Sequence, residues 1–266
     1  MIPRLDVRGR LDAGESSANP CGHHNRFNAA KNLAEPARLD TAGVSSALDR
    51  HTGVETGGEK TVSTHHHSAA LGCLARQAIL EQAKHLGLAY GQTLVAESEE
   101  EMTLLFDLAI YTAKRGRSRA IDRYAKSVML QPGSDEALTL DAMCQARFSL
   151  WRIERRHETA GVIVADLLRD RETWLLDQGL AHSANPGMTV ASRLCWPAEF
   201  AMTCGVIVPV DVELIEDAFS DSTAWLSHAD PQRLADDPRF AAAIYRNAIQ
   251  TGIMENVVYR EPAVAD

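Results

Sequence analysis

The chain has 266 residues, of which 45% are apolar and 24% charged, a composition typical of globular proteins and sufficient for a sizeable core. Its formal net charge is −9, and all of this excess acid lies in residues 69–266, since residues 1–68 carry equal numbers of acidic and basic side chains. An acidic chain is a poor non-specific binder of nucleic acid or anionic membranes, and no apolar run approaches the ~18 residues of a membrane span.

The cysteines and the polar N-terminus predict a cytoplasmic protein with free thiols. The five cysteines are an odd number, their spacing shows no pairs, and no apolar signal-peptide core precedes them. Secreted proteins pair their cysteines, whereas free thiols are the rule in reducing compartments. We expect neither disulfides nor a membrane partner.

Residues 1–68 are predicted to be a disordered leader. They are rich in Gly, Ser, Ala, Asn and Thr, carry no sustained apolar period and contain Phe27 as their single aromatic residue. Such a segment buries too little apolar surface to offset the entropy of ordering it. The alternative is that this stretch is upstream sequence included through a misassigned start codon.

Residues 69–147 are predicted to form a helical region. Gly87 is suited to end a first helix, because glycine tolerates the left-handed conformation found just after many helices. Ser98 precedes three glutamates and an apolar stripe, the pattern of an N-cap followed by acids at the positive end of the helix dipole. Ser118 and Ser134 are predicted to cap two further helices.

Residues 148–210 are predicted to form a small antiparallel β-barrel-like module. Five short apolar runs of β character follow each other at close spacing and are separated by turns such as Pro186-Gly187. A curled or closed sheet of such strands leaves few exposed edges. The aromatic residues predicted to form its core are Trp151, Trp174, Trp196 and Phe200.

Helices are predicted again in residues 211–266. Asp211 and Asp237 each precede an apolar helical stripe, Pro238 stands at the first helical position of the second, and Gly252 is its predicted end. The predicted fold class is therefore α+β, with a helical N-terminal part, a small antiparallel β-barrel-like module and C-terminal helices.

Residues 148–209 resemble a module of uncharacterised bacterial proteins, related forms of which occur in proteins that carry a SEC-C-type zinc motif elsewhere in the chain. The resemblance implies a β module after a helical head and no established activity. It does not imply zinc, because this sequence lacks the closely spaced cysteines and following histidine of the SEC-C motif. The similar residues are Phe148, Trp151, Gly161, Asp166-Leu167-Leu168, Trp174, Asp177, Pro186-Gly187 and Ala191-Ser192-Arg193-Leu194.

Histidines and cysteines near the N-terminus are feasible metal ligands by donor type. They fall into two groups that are far apart in sequence, however, and a compact site shows tighter pairing. Low-affinity metal capture on a flexible tail is favoured over a folded site, and no cofactor is predicted. These residues are Cys21, His23, His24, His65, His66, His67 and Cys73.

The basic segment 114–126 is the predicted contact surface. It holds six basic residues against one acid, Asp122, and the first strand of the module extends it if the two pack together. Planar guanidinium groups bind carboxylate or phosphate oxygens in pairs. The simpler alternative is a solvated helix face whose arginines pair with the acidic remainder. The predicted partner- or phosphate-binding residues are Arg115, Arg117, Arg119, Arg123, Arg155 and Arg156.

Patterns of catalytic residues are weak. Glu154 and His157 have the spacing of carboxylate di-iron helices, but they stand in a predicted strand and have no second pair. No nucleotide-binding glycine motif and no nucleophile elbow is present. Cys204 lies in an apolar run, which disfavours a nucleophile set built on it with His157, His182, Asp166 or Asp177.

The sequence therefore favours a non-enzymatic cytoplasmic interaction or regulatory protein that binds an acidic protein partner. A nucleic-acid-binding regulator that uses the arginines of residues 114–126 is the first alternative. A metal-dependent hydrolase ranks below both, and no catalytic or metal-ligating residue is assigned.

Overall fold

The computed structural model of the chain describes residues 57–114, 116–221 and 231–256. These residues form helices before and after a curled antiparallel sheet, so the predicted α+β class is confirmed. A hairpin of β1 (Ala89–Tyr90) and β2 (Thr93–Leu94) connects the second helix to the third. The N-terminal helices are α1 (Gly57–Gly72), α2 (Arg76–Leu86), α3 (Glu99–Tyr111), α4 (Ala120–Ser127) and α5 (Asp135–Cys144).

The sheet has the strand order β5-β4-β3-β6-β7, and β8 also pairs with β6. Its strands are β3 (Arg147–Arg156), β4 (Val162–Asp166), β5 (Arg171–Leu175), β6 (Thr189–Cys195), β7 (Met202–Thr203) and β8 (Val208–Val210). The remaining helices are α6 (Gln178–Ser183), which connects β5 to β6, then α7 (Val212–Asp221), α8 (Pro231–Ala235), α9 (Pro238–Thr251) and the 3-10 helix Ile253–Asn256.

Several helix ends follow from capping residues that the sequence predicted. The Ser98 hydroxyl accepts a hydrogen bond from the Glu101 N–H, and Ser134 does the same for Ala137. Gly87 and Gly252 both have the left-handed conformation, with φ of 80° and 68°. The predicted cap at Ser118 is one residue early, since Arg119 holds the cap position of α4.

The two faces of the sheet are buried against different partners. Phe148 and Leu150 of β3 pack on a core formed by α2, α3 and the C-terminal helices. The alternate residues Trp151 and Ile153 point into the concave side of the curled sheet, where Leu175 of β5 meets them. A third cluster packs α1, α4 and α5 against the end of β6 and the residues after it. The period of two in β3 is therefore what lets one strand serve two cores.

The curl brings the two ends of the sheet together at Ala201. Its N–H donates to the Trp174 carbonyl oxygen at 2.7 Å, and its own carbonyl accepts from the Leu176 N–H at 2.9 Å. These bonds form a parallel bridge between the end of β5 and the segment that leads into β7. We call this bridge the seam, because it satisfies backbone groups that an open edge strand would expose.

Some boundaries differ from the sequence prediction. The leader was predicted to extend to residue 68, but α1 begins at Gly57, so residues 57–68 are helical; residues 1–56 lie outside the described residues. Two large apolar residues of the helical region are exposed, Met129 at 98% and Leu138 at 47%. Met129 is exposed because α4 ends two residues before it, at Ser127.

Candidate functional site

A buried ion pair joins α3 to β6. The Arg193 guanidinium donates two hydrogen bonds to the Asp107 carboxylate, from Nε and Nη2, both at 3.0 Å. The Tyr245 hydroxyl of α9 donates to the same carboxylate at 3.0 Å. The two charged side chains are 7% and 2% exposed. The buried charges are thus fully paired, which is the condition under which such a pair is tolerated inside a protein.

The same arginine connects the ion pair to a histidine of α1. The guanidinium carbon of Arg193 lies 4.6 Å from the centre of the Tyr111 ring. The Tyr111 hydroxyl oxygen lies 2.9 Å from Nε2 of His67, and the same nitrogen lies 2.8 Å from the Cys204 carbonyl oxygen. Because a carbonyl oxygen only accepts, Nε2 of His67 carries the proton. We call these five residues, His67, Asp107, Tyr111, Arg193 and Tyr245, the buried network.

Burial controls the protonation of the buried network. It lowers the pKa of His67 to about 4, outweighing the opposite effects of the Asp107 carboxylate and the Cys204 carbonyl. Burial also raises the pKa values of Tyr111 and Tyr245 well above the usual value for tyrosine. Burial alone would lower the pKa of Arg193, but Asp107 more than offsets this and raises it. These shifts leave neutral His67, protonated tyrosines and a charged guanidinium at neutral pH.

The buried network is packed tightly enough to act as structure. A β-carbon on Gly205 would lie 2.5 Å from the Oδ1 atom of Asp107, so the backbone there closes directly over the carboxylate. The network links α1, α3, β6 and α9, elements that are far apart in sequence. Residues of these types also occur in catalytic sites, but the contacts they make here hold four elements of the fold together.

An open cleft lies at the end of the sheet beside α5. Its volume is about 280 Å³, close to the lower end of the ~300–1,000 Å³ typical of ligand pockets. Arg147 lies at the start of β3, and Arg171 and Glu172 lie at the start of β5. We call this site the Trp196 cleft; its lining residues are Ala142, Gln145, Arg147, Arg171, Glu172, Thr173 and Trp196.

Trp196 is a fixed wall of this cleft. Its indole N–H donates to the Thr173 hydroxyl at 3.0 Å, and its ring lies 6.2 Å from that of Trp151 in the sheet core. The Arg171 guanidinium lies over the Trp196 ring at 5.7 Å from its centre, a cation–π arrangement. The ring therefore has one anchored edge and one face beside a cation.

The charges of the Trp196 cleft are partly uncompensated. Within the described part of the chain, Arg147 and Arg171 form no ion pair. Glu172 also lines the cleft, and its carboxylate accepts a hydrogen bond from Arg155 at 3.3 Å. Both guanidinium groups are consequently available to an anion in the cleft, and one carboxylate stands at its rim.

Two of the predicted contact arginines are engaged in internal contacts. Arg119 binds Asp122 through two hydrogen bonds and also donates to the Cys144 carbonyl at 2.6 Å, next to Gln145 of the cleft. Arg123 donates to the Ser118 and Cys73 carbonyls. These guanidinium groups hold the start of α4 against the ends of α1 and α5, so their first role is structural.

The other predicted arginines are exposed or lie outside the described residues. Arg117 and Arg156 are exposed, and Arg155 is exposed while it contacts Glu172 at the cleft rim. Arg115 lies outside the described residues. None of the predicted arginines that the structure describes lines the cleft; Arg119 contacts the Cys144 carbonyl, and Arg155 contacts Glu172 of the lining.

The sequence did not identify Arg147 or Arg171, and it assigned Trp196 to the core. Neither arginine belongs to a charge run. The one signal that could have identified them is their position as the first residue of a strand. Both are exposed and begin a strand, and the curl of the sheet brings those two starts together. Charged residues at neighbouring strand ends of a small barrel are therefore candidates for a shared site.

The feasible metal ligands near the N-terminus have other roles where the structure describes them. His66 contacts the Tyr124 hydroxyl and the Glu136 carbonyl, and His67 belongs to the buried network, so neither is on a flexible tail. No group of three metal-binding side chains occurs within residues 57–114, 116–221 and 231–256. Cys21, His23 and His24 lie outside that part of the chain.

The nucleophile sets considered for Cys204 are not assembled. Its thiol lies 3.6 Å from the Arg193 carbonyl and is buried, while His157 stacks on Trp174 at 4.1 Å. Asp166 binds Arg169, and Asp177 caps α6. Glu154 pairs with Arg152 on the strand and has no partner pair for di-iron chemistry in the described residues.

A protein-family model matches residues 64–223, from within α1 through the sheet to beyond the end of α7. The match is to DUF7986, described as a family of unknown function. The chain belongs to this family. No curated protein and no solved structure matches the sequence.

Membership of DUF7986 agrees with the predicted resemblance to an uncharacterised family, and it extends beyond the β module to the helices on both sides. The Trp196 cleft and four of the five residues of the buried network fall inside the matched range, Tyr245 being the exception. The link to SEC-C-linked proteins and a bacterial origin stay predictions. No helix in the described ranges is both long and apolar enough to span a membrane.

Proposed function

We propose that this member of DUF7986 is a non-enzymatic cytoplasmic interaction protein, and that the Trp196 cleft is where it binds an acidic segment of a partner protein. The observation that carries the proposal is the pair of guanidinium groups of Arg147 and Arg171, which line one concave site and form no ion pair among the described residues. Arg155, near the opposite end of β3 from Arg147, contacts Glu172 of the cleft and is the proposed secondary contact, together with the exposed Arg156 next to it.

The overall acidity of the chain favours this local mode of binding over a general basic surface. With a net charge of −9, long-range attraction of an acidic partner is absent, so affinity must come from direct contacts in a shaped site. A carboxylate bound by a guanidinium group has a planar, directional geometry that supplies such contacts. Trp196 adds an apolar wall for the carbon atoms of the bound side chain.

Nucleic acid is the second candidate and is less well supported. Binding through phosphates normally accompanies a basic domain, whereas this one is acidic. One face of the Trp196 ring also lies beside Arg171, which leaves less of the ring open to a stacked base. Nucleic acid is therefore one of the outcomes that the experiment distinguishes.

The test is fluorescence anisotropy with two labelled probes, a glutamate-rich peptide and a single-stranded oligonucleotide of similar length. The full chain is compared with the double variant Arg147→Glu, Arg171→Glu. We expect the peptide to bind the full chain and the variant to bind it about tenfold or more weakly, because two attractions become repulsions.

The matched control is Arg76→Glu, Lys84→Glu, which reverses two exposed charges on α2, outside the cleft. This control should bind the peptide as the unmodified chain does. Equal loss in both double variants would mean that only net charge matters and would contradict the assignment to the cleft. Salt-sensitive binding of the oligonucleotide, with none of the peptide, would favour the nucleic-acid function instead.

A further inference from the structure

Glu172 makes the affinity of the Trp196 cleft depend on the charge of the ligand. It lines the cleft together with Arg147 and Arg171, yet its ion pair is with Arg155, which does not line the cleft. Both members of that pair are more than half exposed, with 60% and 54% of their side-chain surface accessible. Arg155 therefore neutralises Glu172 only in part, since exposed pairs are weak and screened.

We infer that the cleft is a carboxylate site and that Glu172 is the residue that weakens the binding of dianions such as phosphate more than that of monoanions. This inference rests on the proposed function and specifies its ligand chemistry. The two guanidinium groups carry two positive charges, one more than a single bound carboxylate neutralises. A dianion uses both positive charges and meets the Glu172 carboxylate with twice the repulsion.

The size of the selectivity follows from the size of the cleft. A volume of about 280 Å³ is that of a sphere about 8 Å across, which sets the scale of the distance between a bound anion and a wall charge. At ~8 Å in water, removing one wall charge changes the affinity about twofold for each charge on the ligand. Removing Glu172 should then strengthen the binding of a monoanion about twofold and that of a dianion about fivefold.

The probes that test this are benzoate and phenyl phosphate, which share one aromatic ring and differ in their charged group. At pH 8 benzoate is a monoanion and phenyl phosphate a dianion, because a phosphate monoester has its second pKa near ~6. The ring is suited to the Trp196 and Ala142 walls and the charged group to the arginines. Each probe is titrated into the full chain.

Binding is followed at the indole N–H signal of Trp196 in a proton–nitrogen correlation spectrum, assigned with the Trp196→Phe variant. This N–H donates to Thr173 at the cleft wall and so reports on occupancy. The indole N–H of Trp151, buried and bonded to the Ser192 carbonyl, lies outside the cleft lining and should move less than that of Trp196.

The full chain is compared with Glu172→Gln and with Glu158→Gln, which removes the same charge from an exposed residue outside the cleft lining. We expect Glu172→Gln to strengthen the binding of phenyl phosphate more than the binding of benzoate. Arg155→Gln should weaken the binding of phenyl phosphate, since it leaves the Glu172 carboxylate without its cationic partner. Glu158→Gln should leave the ratio of the affinities for phenyl phosphate and benzoate unchanged.

Equal strengthening of the binding of both probes by Glu172→Gln overturns the inference and leaves the proposed function standing. If neither probe moves the Trp196 signal, the cleft is not a carboxylate site and the inference is again overturned. The proposed function fails separately, when the glutamate-rich peptide binds Arg147→Glu, Arg171→Glu as well as it binds the unmodified chain.

Discussion

His67 should make the protein lose stability as the pH falls from neutral to mildly acidic. Its imidazole is 4% exposed, and burial lowers its pKa from 6.5 to about 4. Between these two values the unfolded chain binds a proton at this position and the folded protein does not. The free energy of unfolding therefore rises with pH in this window and falls as the pH is lowered through it.

The size of the effect follows from the two pKa values. A separation of 2.5 units corresponds to about 3 kcal/mol when the whole window is crossed. Between pH 7 and pH 5 the loss is about 2 kcal/mol, which is a large part of the ~5–15 kcal/mol that stabilises a typical protein. At pH 5 most carboxylates, with usual pKa values near ~4, are still ionised and contribute less to the change.

Urea unfolding at pH 7 and pH 5 measures this loss, and His67→Gln removes the titrating group while it retains a side-chain N–H donor for the Cys204 carbonyl. We expect the variant to be less stable than the unmodified chain at pH 7 but to lose about 2 kcal/mol less on going to pH 5. His85→Gln, on the exposed surface of α2, is the control and should show the unmodified pH dependence. An unchanged pH dependence in His67→Gln would refute the reasoning.

Two further predictions concern stability and use urea unfolding at pH 7. Asp107→Asn should cost about 3–5 kcal/mol because it leaves the Arg193 charge buried without its partner, and the apolar double variant Asp107→Leu, Arg193→Met should recover most of this; a loss below about 1 kcal/mol would contradict the role of the pair. Gly161→Ala should cost about 3 kcal/mol, since φ is +75° there and a β-carbon would clash with the Leu175 carbonyl oxygen. Gly72→Ala, where no atom lies within 4 Å of the added carbon, should be nearly neutral.

The parts of the fold that local sequence could predict are those set by local chemistry. Ser98, Ser134, Gly87 and Gly252 act at helix ends through bonds to residues three or four positions away, and each was identified correctly. The sheet was identified from its turns and its change of period. A curled sheet was predicted as well, but the place of the seam was not, because it depends on Ala201, a residue with no distinguishing chemistry in the sequence.

The Trp196 cleft and the buried network were missed for one shared reason. Asp107 and Arg193 are 86 positions apart, and Tyr245 is 138 positions from Asp107, so no spacing rule relates them. His67 looked like part of a polar histidine tract, since a run of three histidines indicates composition rather than packing. The contact surface was predicted at the charge run of residues 114–126 instead, although Arg119 and Arg123 donate hydrogen bonds to backbone carbonyls within the protein.

The seam has a thermodynamic consequence for the cleft. Glu172 and Thr173 come from the β5 side of the seam, whereas Trp196 comes from the segment that leads to Ala201 on the other side. A ligand that contacts both walls binds the closed sheet better than an opened one, and by linkage it must stabilise closure by the same free energy. On the proposed function, occupancy of the cleft and closure of the sheet are therefore linked, and a bound ligand would protect the backbone of Ala201 and Leu176 from opening.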